Sequence, residues 1–288
     1  MPIPALLVAA LAPASFTLYA AGDIAYCSHG GPRWSGAAAT AELVMAGLAG
    51  DDTASVLALG DNAYPHGSLA DYRNCYGPTW GRFSERTWPV AGNHEHAVPG
   101  AAGYLAYFGK PLWYSRELGR WHLVALDSSL DPAQQAVQLD WLRADLAAST
   151  AHCTLAYWHH PLYSSGWHGS SQAMRAAWMV LMEAGADLVL SGHDHVYERF
   201  APQDADGGRD EQHGLRQFVV GTGGARLTPF LWPQPHSEVR DNTRTGVLRL
   251  RLMENSYSWQ FLEASNEGSP TGADPDRGSA HCHGKHSD

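Results

Sequence analysis

Short apolar runs alternate with amphipathic stretches along the chain. Residues 16–21, 55–59, 88–91, 154–158, 187–190 and 217–220 are predominantly apolar, too short for stable helices, and bounded by turn-forming residues. They predict buried β-strands. Helical spacing of apolar positions covers 37–48, 68–76, 132–147 and 171–183, and Asp131-Pro132 is a helix-start signal, an N-cap carboxylate before a first-turn proline. Residues 113–118 and 121–127, joined by Gly119-Arg120, read as a hairpin, and 246–253 with 256–262 as a second. Alternating strands and helices, with hairpins at the edges, predict an α/β protein of mixed sheets covered by helices.

The two ends differ from this pattern. The apolar run 3–14 is broken by Pro4 and Pro13 and is too short to span a bilayer, and no other segment is a candidate span. Residues 5–14, followed by small residues, resemble the apolar part of an export signal, although nothing basic precedes them. A leader over 1–15 and a secreted or periplasmic protein are expected, with a cytoplasmic one as the alternative. Residues 264–288 contain no Val, Ile, Leu, Phe, Trp, Tyr or Met and are read as a disordered tail. The tail's His281, Cys282, His283 and His286 are either a stray-metal site or a solvated end. One domain is expected over 16–263.

Composition narrows the classes. With 288 residues, 44% of them hydrophobic, the chain is long enough for one large core. Nineteen basic against 29 acidic residues give a net charge of −10, which argues against nucleic-acid backbones as partners. None of Cys27, Cys75, Cys153 and Cys282 forms a CxxC pair, so thiolate zinc sites and thioredoxin chemistry are disfavoured. Cys27 and Cys75 follow two Gly-Asp motifs and are either a disulfide between those loops or two buried thiols. Cys153, opening an apolar strand, reads as plain core.

Five predicted strands end in a residue able to bind a cation. The ends are Gly22-Asp23, Gly60-Asp61, Gly92-Asn93-His94-Glu95, His159-His160-Pro161 and Gly192-His193-Asp194-His195. The carboxyl ends of strands in open α/β sheets point into one crevice, so Asp23, Asp61, Asn93, His159, His193 and His195 are expected to converge. A single Gly-Asp after a strand is most often a turn. Five in series are not explained as turns or as satisfied core histidines. Carboxylate, amide and imidazole donors without thiolate suit two hard-to-borderline cations.

These blocks, with Asn62-Ala63-Tyr64 continuing the second and Val196-Tyr197-Glu198-Arg199 the last, resemble the calcineurin-like metallophosphoesterases, and among them the purple acid phosphatases. The resemblance covers roughly residues 17–252 and is to a single-domain, bacterial-type form, since the first motif begins at residue 22. It departs from the family pattern at Ile24-Ala25 in the first block and at Ala156 before His159.

The resemblance implies a four-layer αββα sandwich of two mixed sheets flanked by helices. It implies a ferric ion held by Asp23, Asp61, Tyr64 and His195, and a divalent ion (iron, zinc or manganese) held by Asp61, Asn93, His159 and His193, with Asp61 bridging. It further implies acid phosphatase activity on a small phosphorylated substrate, by in-line attack of a hydroxide held at the metals. His94 would protonate the leaving oxygen, and His168, in the loop after His159, would contact substrate together with Asn93 and His94. A phosphodiesterase or nucleotide pyrophosphatase on the same site is the alternative, and a non-catalytic phosphate- or metal-binding protein a third reading. His160 is expected to pack or to support a ligand, His96 either to line the mouth or to be structural, and Trp167 either to stack on a substrate or to close its loop.

Overall fold

The computed structural model describes residues 15–26, 36–264 and 276–284. The first half of the chain supplies β1 (Phe16–Ala21), β2 (Ala25–Tyr26), α1 (Ala37–Ala49), β3 (Ser55–Leu59), β4 (Ala63–Tyr64), α2 (Leu69–Asp71), β5 (Thr87–Val90), α3 (Ala102–Phe108), β6 (Tyr114–Leu118) and β7 (Trp121–Ala125). The second half adds α4 (Pro132–Ala148), β8 (Cys153–Tyr157), α5 (Arg175–Glu183), β9 (Leu188–Ser191), β10 (Tyr197–Phe200), β11 (Arg216–Val220), β12 (Ser237–Asp241), β13 (Gly246–Leu252), β14 (Ser256–Glu263) and β15 (Arg277–His281).

The expected strands, helices and hairpins form, with ends shifted by a few residues at most. Asp131 caps α4 by accepting from the backbone N–H of Ala133 and Gln134, with Pro132 in the first turn.

Among the described residues two large mixed sheets form, besides a parallel pairing of β2 with β4. One has the order β15-β14-β13-β1-β3-β5 and the other β12-β10-β11-β9-β8-β7-β6. Within the first, β1, β3 and β5 are parallel, and within the second, β7, β8, β9 and β11 are parallel. The period-two alternation of strands divides their side chains. Leu123, Leu155, Leu188 and Phe218 join Leu18, Leu57 and Leu250 in a core between the sheets. Val124, Ala156, Trp158 and Val189 point the other way, against Leu142 and Leu146 of α4 and Trp178 and Leu181 of α5. On the far face of the first sheet Tyr19 lies against Gly47 of α1. The layers are therefore helix, sheet, sheet, helix, and the parallel strands of both sheets open their carboxyl ends onto one edge.

The expectation of a disordered tail over 264–288 is corrected at its middle. Arg277–His281 adds β15 antiparallel to β14, although it has no apolar side chain larger than alanine. Polar and covalent anchors take the place of a hydrophobic face. At the strand's start Asp276 accepts from Tyr197 Oη (2.7 Å), Arg199 Nε (2.8 Å) and Trp259 Nε1 (3.1 Å). At its end a disulfide joins Cys282 to Cys153, 129 residues apart. Cys153 is thus a cross-link rather than plain core, and no thiolate is left at Cys282 for a metal. Cys75 is also disulfide-bonded, while Cys27, residues 1–14 of the leader expected over 1–15, and His286 lie outside the described residues.

Asp187 completes this anchor, accepting from the backbone N–H of Thr154 (2.9 Å) and His283 (2.6 Å). Burial pushes its carboxyl up to about 7, against those two hydrogen bonds. A carboxyl whose pKa is raised by folding stabilises the fold while protonated, and that contribution is lost as pH rises from about 4 towards 7. Between pH 4 and 7 the wild type should therefore lose, by on the order of a few kcal/mol, more stability than Asp187→Asn, in denaturant titrations at each pH. A difference independent of pH would contradict this.

Candidate functional site

Each strand-end turn is built so that a candidate donor side chain faces its neighbours. Asp23, Asp61 and His193 have left-handed backbones (φ 59°, 47° and 71°), which non-glycine residues hold only at a cost of about 1–3 kcal/mol each. Three such residues from three different strands meeting at one edge mark a functional site. The preceding residues explain why glycine stands there. A Cβ on Gly92 would lie 2.2 Å from Asp61 Oδ1, and one on Gly60, itself at φ 87°, would lie 2.7 Å from His159 Nδ1. The turns then zip together: the N–H groups of Asp23, Ile24 and Ala25 donate to the carbonyls of Gly60, Asp61 and Asn62.

The carboxylates are oriented by backbone amides. Asp23 Oδ2 accepts from His193 N–H (2.8 Å), and Asp61 Oδ1 from His94 N–H (2.9 Å). Their other oxygens point inward. Asp23 Oδ1 lies 2.9 Å from Tyr64 Oη and 3.3 Å from His195 Nε2, which is itself 3.1 Å from Tyr64 Oη. Asp61 Oδ2 lies 3.2 Å from Tyr64 Oη and 3.3 Å from His159 Nε2. Donor atoms of Asp61, His159 and His193 fall within 4.8 Å of one another. Asp61 thus sits between two groups of donors, one with Asp23, Tyr64 and His195, the other with His159 and His193.

The histidines are set for coordination. His159 Nδ1 donates to the carbonyl of Leu59 (2.9 Å) and His195 Nδ1 to that of Arg226 (2.8 Å), so Nε2 of each is the atom presented to the centre. His159 Nε2 and Asn93 Oδ1 are buried without a hydrogen-bond partner. Burial opposes charge on His159 and His195, but the adjacent carboxylates win, pushing them up to about 10 and about 9. Burial and the neighbouring His159 push His193 down. The Asp61 carboxyl is held low because His159 and His94 outweigh its burial. Burial and the Asp23 carboxylate drive the Tyr64 phenol well above its usual value. Orphaned buried donor atoms, inward carboxylate oxygens and fixed Nε2 atoms fit a pair of cations.

His94 stands beside this centre. Its Nδ1 donates to the Pro65 carbonyl (2.5 Å), its ring packs on Tyr64 at 4.4 Å, and its Nε2 is 3.8 Å from Asp61 Oδ2. The exposed His168 lies 4.6 Å from the His193 ring. His160 donates to or accepts from Ser128 Oγ (2.8 Å) and packs 4.3 Å from His193, and burial lowers it to about 3. His96 is paired with the buried Asp127 at 2.7 Å rather than free at the mouth.

Two functional residues escaped the sequence reading although both lie inside quoted motifs. Glu95, fully buried, accepts from the N–H groups of Asn62 (3.0 Å), Ala63 (3.3 Å) and Gly92 (2.8 Å), locking two ligand turns together. Asp194, between two histidines, accepts from Ser164 Oγ and from the N–H of His168 (2.7 Å) and Gly169 (3.1 Å). It ties the His168 loop to the ligand turn. Their only signal was an acidic residue in a motif whose neighbours were already assigned.

Residues 16–197 match the calcineurin-like phosphoesterase family model. The chain belongs to that family. Its expected likeness to purple acid phosphatases is borne out as well: it is 26% identical over 236 residues to purple acid phosphatase 18 of Arabidopsis thaliana, covering 72% of this chain and 54% of the relative. Purple acid phosphatase 22 of the same plant is 30% identical over 234 residues, 68% of this chain and 53% of the relative. The phosphoesterase chain thus spans about half the length of the curated relatives it matches. Among solved structures it is similar in fold to a purple acid phosphatase from yellow lupin seeds (TM-score 0.73, 19% identity, 94% of this chain and 54% of that one). It is as similar to GAP50, the anchor in the inner membrane complex of Plasmodium (TM-score 0.73, 14% identity, 93% and 89%). A phosphatase and an anchor share this fold, so what this chain does has to be argued from its donor groups.

Proposed function

We propose that this phosphoesterase is a dinuclear metal-dependent acid phosphatase acting on phosphate monoesters. The observation that carries the reading is the position of Asp61 Oδ2, within 3.2–3.3 Å of both Tyr64 Oη and His159 Nε2, where one carboxylate can serve two cations. Asp23, Asp61, Tyr64 and His195 would hold one ion, and Asp61, Asn93, His159 and His193 the other. When bound, the ions supply Lewis acidity toward phosphoryl oxygens, activate water at low pH, and make the site locally positive in an acidic protein. Around them, His94 is held by Pro65 with Nε2 facing the centre, suited to donate a proton to the departing oxygen. His168 and the Asn93 amide would orient the ester.

Tyr64 supports a ferric ion at the first position. Its Oη lies 2.9 Å from Asp23 Oδ1, 3.2 Å from Asp61 Oδ2 and 3.1 Å from His195 Nε2, and a phenolate beside two carboxylates is a hard, anionic donor set. The disulfides support a secreted or periplasmic site of action.

Rates on a chromogenic phosphate monoester and its diester analogue, from acid to mildly alkaline pH, test the activity. Faster monoester turnover with an acid optimum is expected. His94→Ala should lower kcat by about 10²–10⁴-fold while both ions remain bound. Faster diester turnover would move the function to diesterase, and a metal-loaded protein inert to both would make it a binding protein. For the ferric assignment, the iron-loaded wild type should absorb in the visible and Tyr64→Phe should lose that band. A colourless wild type with full iron content would contradict it.

A further inference from the structure

The three large aromatic side chains that are exposed among the described residues all belong to segments that adjoin the candidate site. Tyr26, 46% exposed, lies 5.5 Å from the Tyr64 ring. Trp167, 58% exposed, precedes His168, whose ring is 4.6 Å from His193. Trp232, 75% exposed, belongs to a segment that leaves His195, where Thr228 N–H donates to the His195 carbonyl (3.1 Å). That segment then reaches the Trp167 loop, where Leu231 N–H donates to the Ser165 carbonyl (3.0 Å) and Gln234 N–H to Ser165 Oγ (2.8 Å). The other large apolar side chains in the open, apart from Leu231 beside Trp232, are aliphatic and lie on α3, α4 and α5.

Polar groups fix the backbone of both loops. Asp194 and Ser164 fix the backbone on either side of Trp167, and Ser165 and the Gln234 side chain fix that around Trp232. Rigidly presented ring faces left in water beside a polar centre are suited to stack on a planar group. We infer that the aromatic rim is a specificity site for an aromatic ring on the organic part of the phosphate ester, with Trp167 as the principal platform and Trp232 as the second. The inference rests on the phosphatase reading and adds its substrate class: aryl-bearing rather than purely aliphatic phosphates.

Benzyl phosphate and cyclohexylmethyl phosphate test this, since both release primary alkoxides of comparable size and differ in the ring face. The metal-loaded wild type should favour the benzyl ester in kcat/KM by about three- to tenfold. Trp167→Ala and Trp232→Ala should each reduce that ratio, and Trp167→Phe should retain most of it. A wild-type ratio near one, or alanine variants that lose both esters equally, overturns the rim as a specificity site and leaves the phosphatase reading standing. No turnover of either ester overturns the phosphatase reading, and this inference with it.

Discussion

The Asp61 carboxylate is the constraint on which the site depends. Its backbone is held in the left-handed region, one oxygen is committed to the His94 N–H, and the other lies between the Tyr64 phenol on β4 and the His159 imidazole just past β8. A different backbone angle would turn Oδ2 away from one of the two donor groups. The surrounding glycines follow from it, because a Cβ at Gly92 would occupy the space of its carboxylate. So does Glu95, whose three backbone hydrogen bonds hold the Asp61 turn against the Asn93 turn from below.

The two-sheet architecture lets a few short turns do this work. β1, β3 and β5 end in Asp23, Asp61 and Asn93, while β8 and β9 of the other sheet end in His159 and in His193 with His195. Packing the sheets face to face through a continuous apolar core brings acidic and imidazole-bearing edges together at fixed separation. The local strain at Asp23, Asp61 and His193 is carried by that core, and tertiary structure of this extent is what such backbones need to persist. The His168 loop, proposed above to meet the substrate, lies outside this frame and is tied to it by Asp194.

Much of this was legible in the amino-acid order, for a physical reason. A buried parallel strand is an apolar run, and the polar residue that ends it stands out against the run, so the convergence of Asp23, Asp61, His159, His193 and His195 could be read directly, whereas Tyr64 ends no such run and was reached only through the family resemblance. The two-residue strands β2 and β4 have no periodicity to detect, and β12 and β15 are edge strands with polar or exposed side chains. Glu95 and Asp194 act on main-chain N–H groups remote in sequence, which no side-chain pattern records. The Cys153–Cys282 pairing was invisible because spacing does not determine connectivity, and it converted a polar tail into a sheet strand.

The shared role of Asp61 is the claim most directly open to measurement, by metal content per chain in the purified wild type and in Asp61→Asn. The amide keeps the size of the side chain and can still accept from His94 N–H, so a folded variant is expected. The account predicts two ions per wild-type chain and loss of affinity for both in the variant. A wild type with a single ion, or a variant that loses only one and keeps the other at full affinity, would contradict a carboxylate shared between two cations.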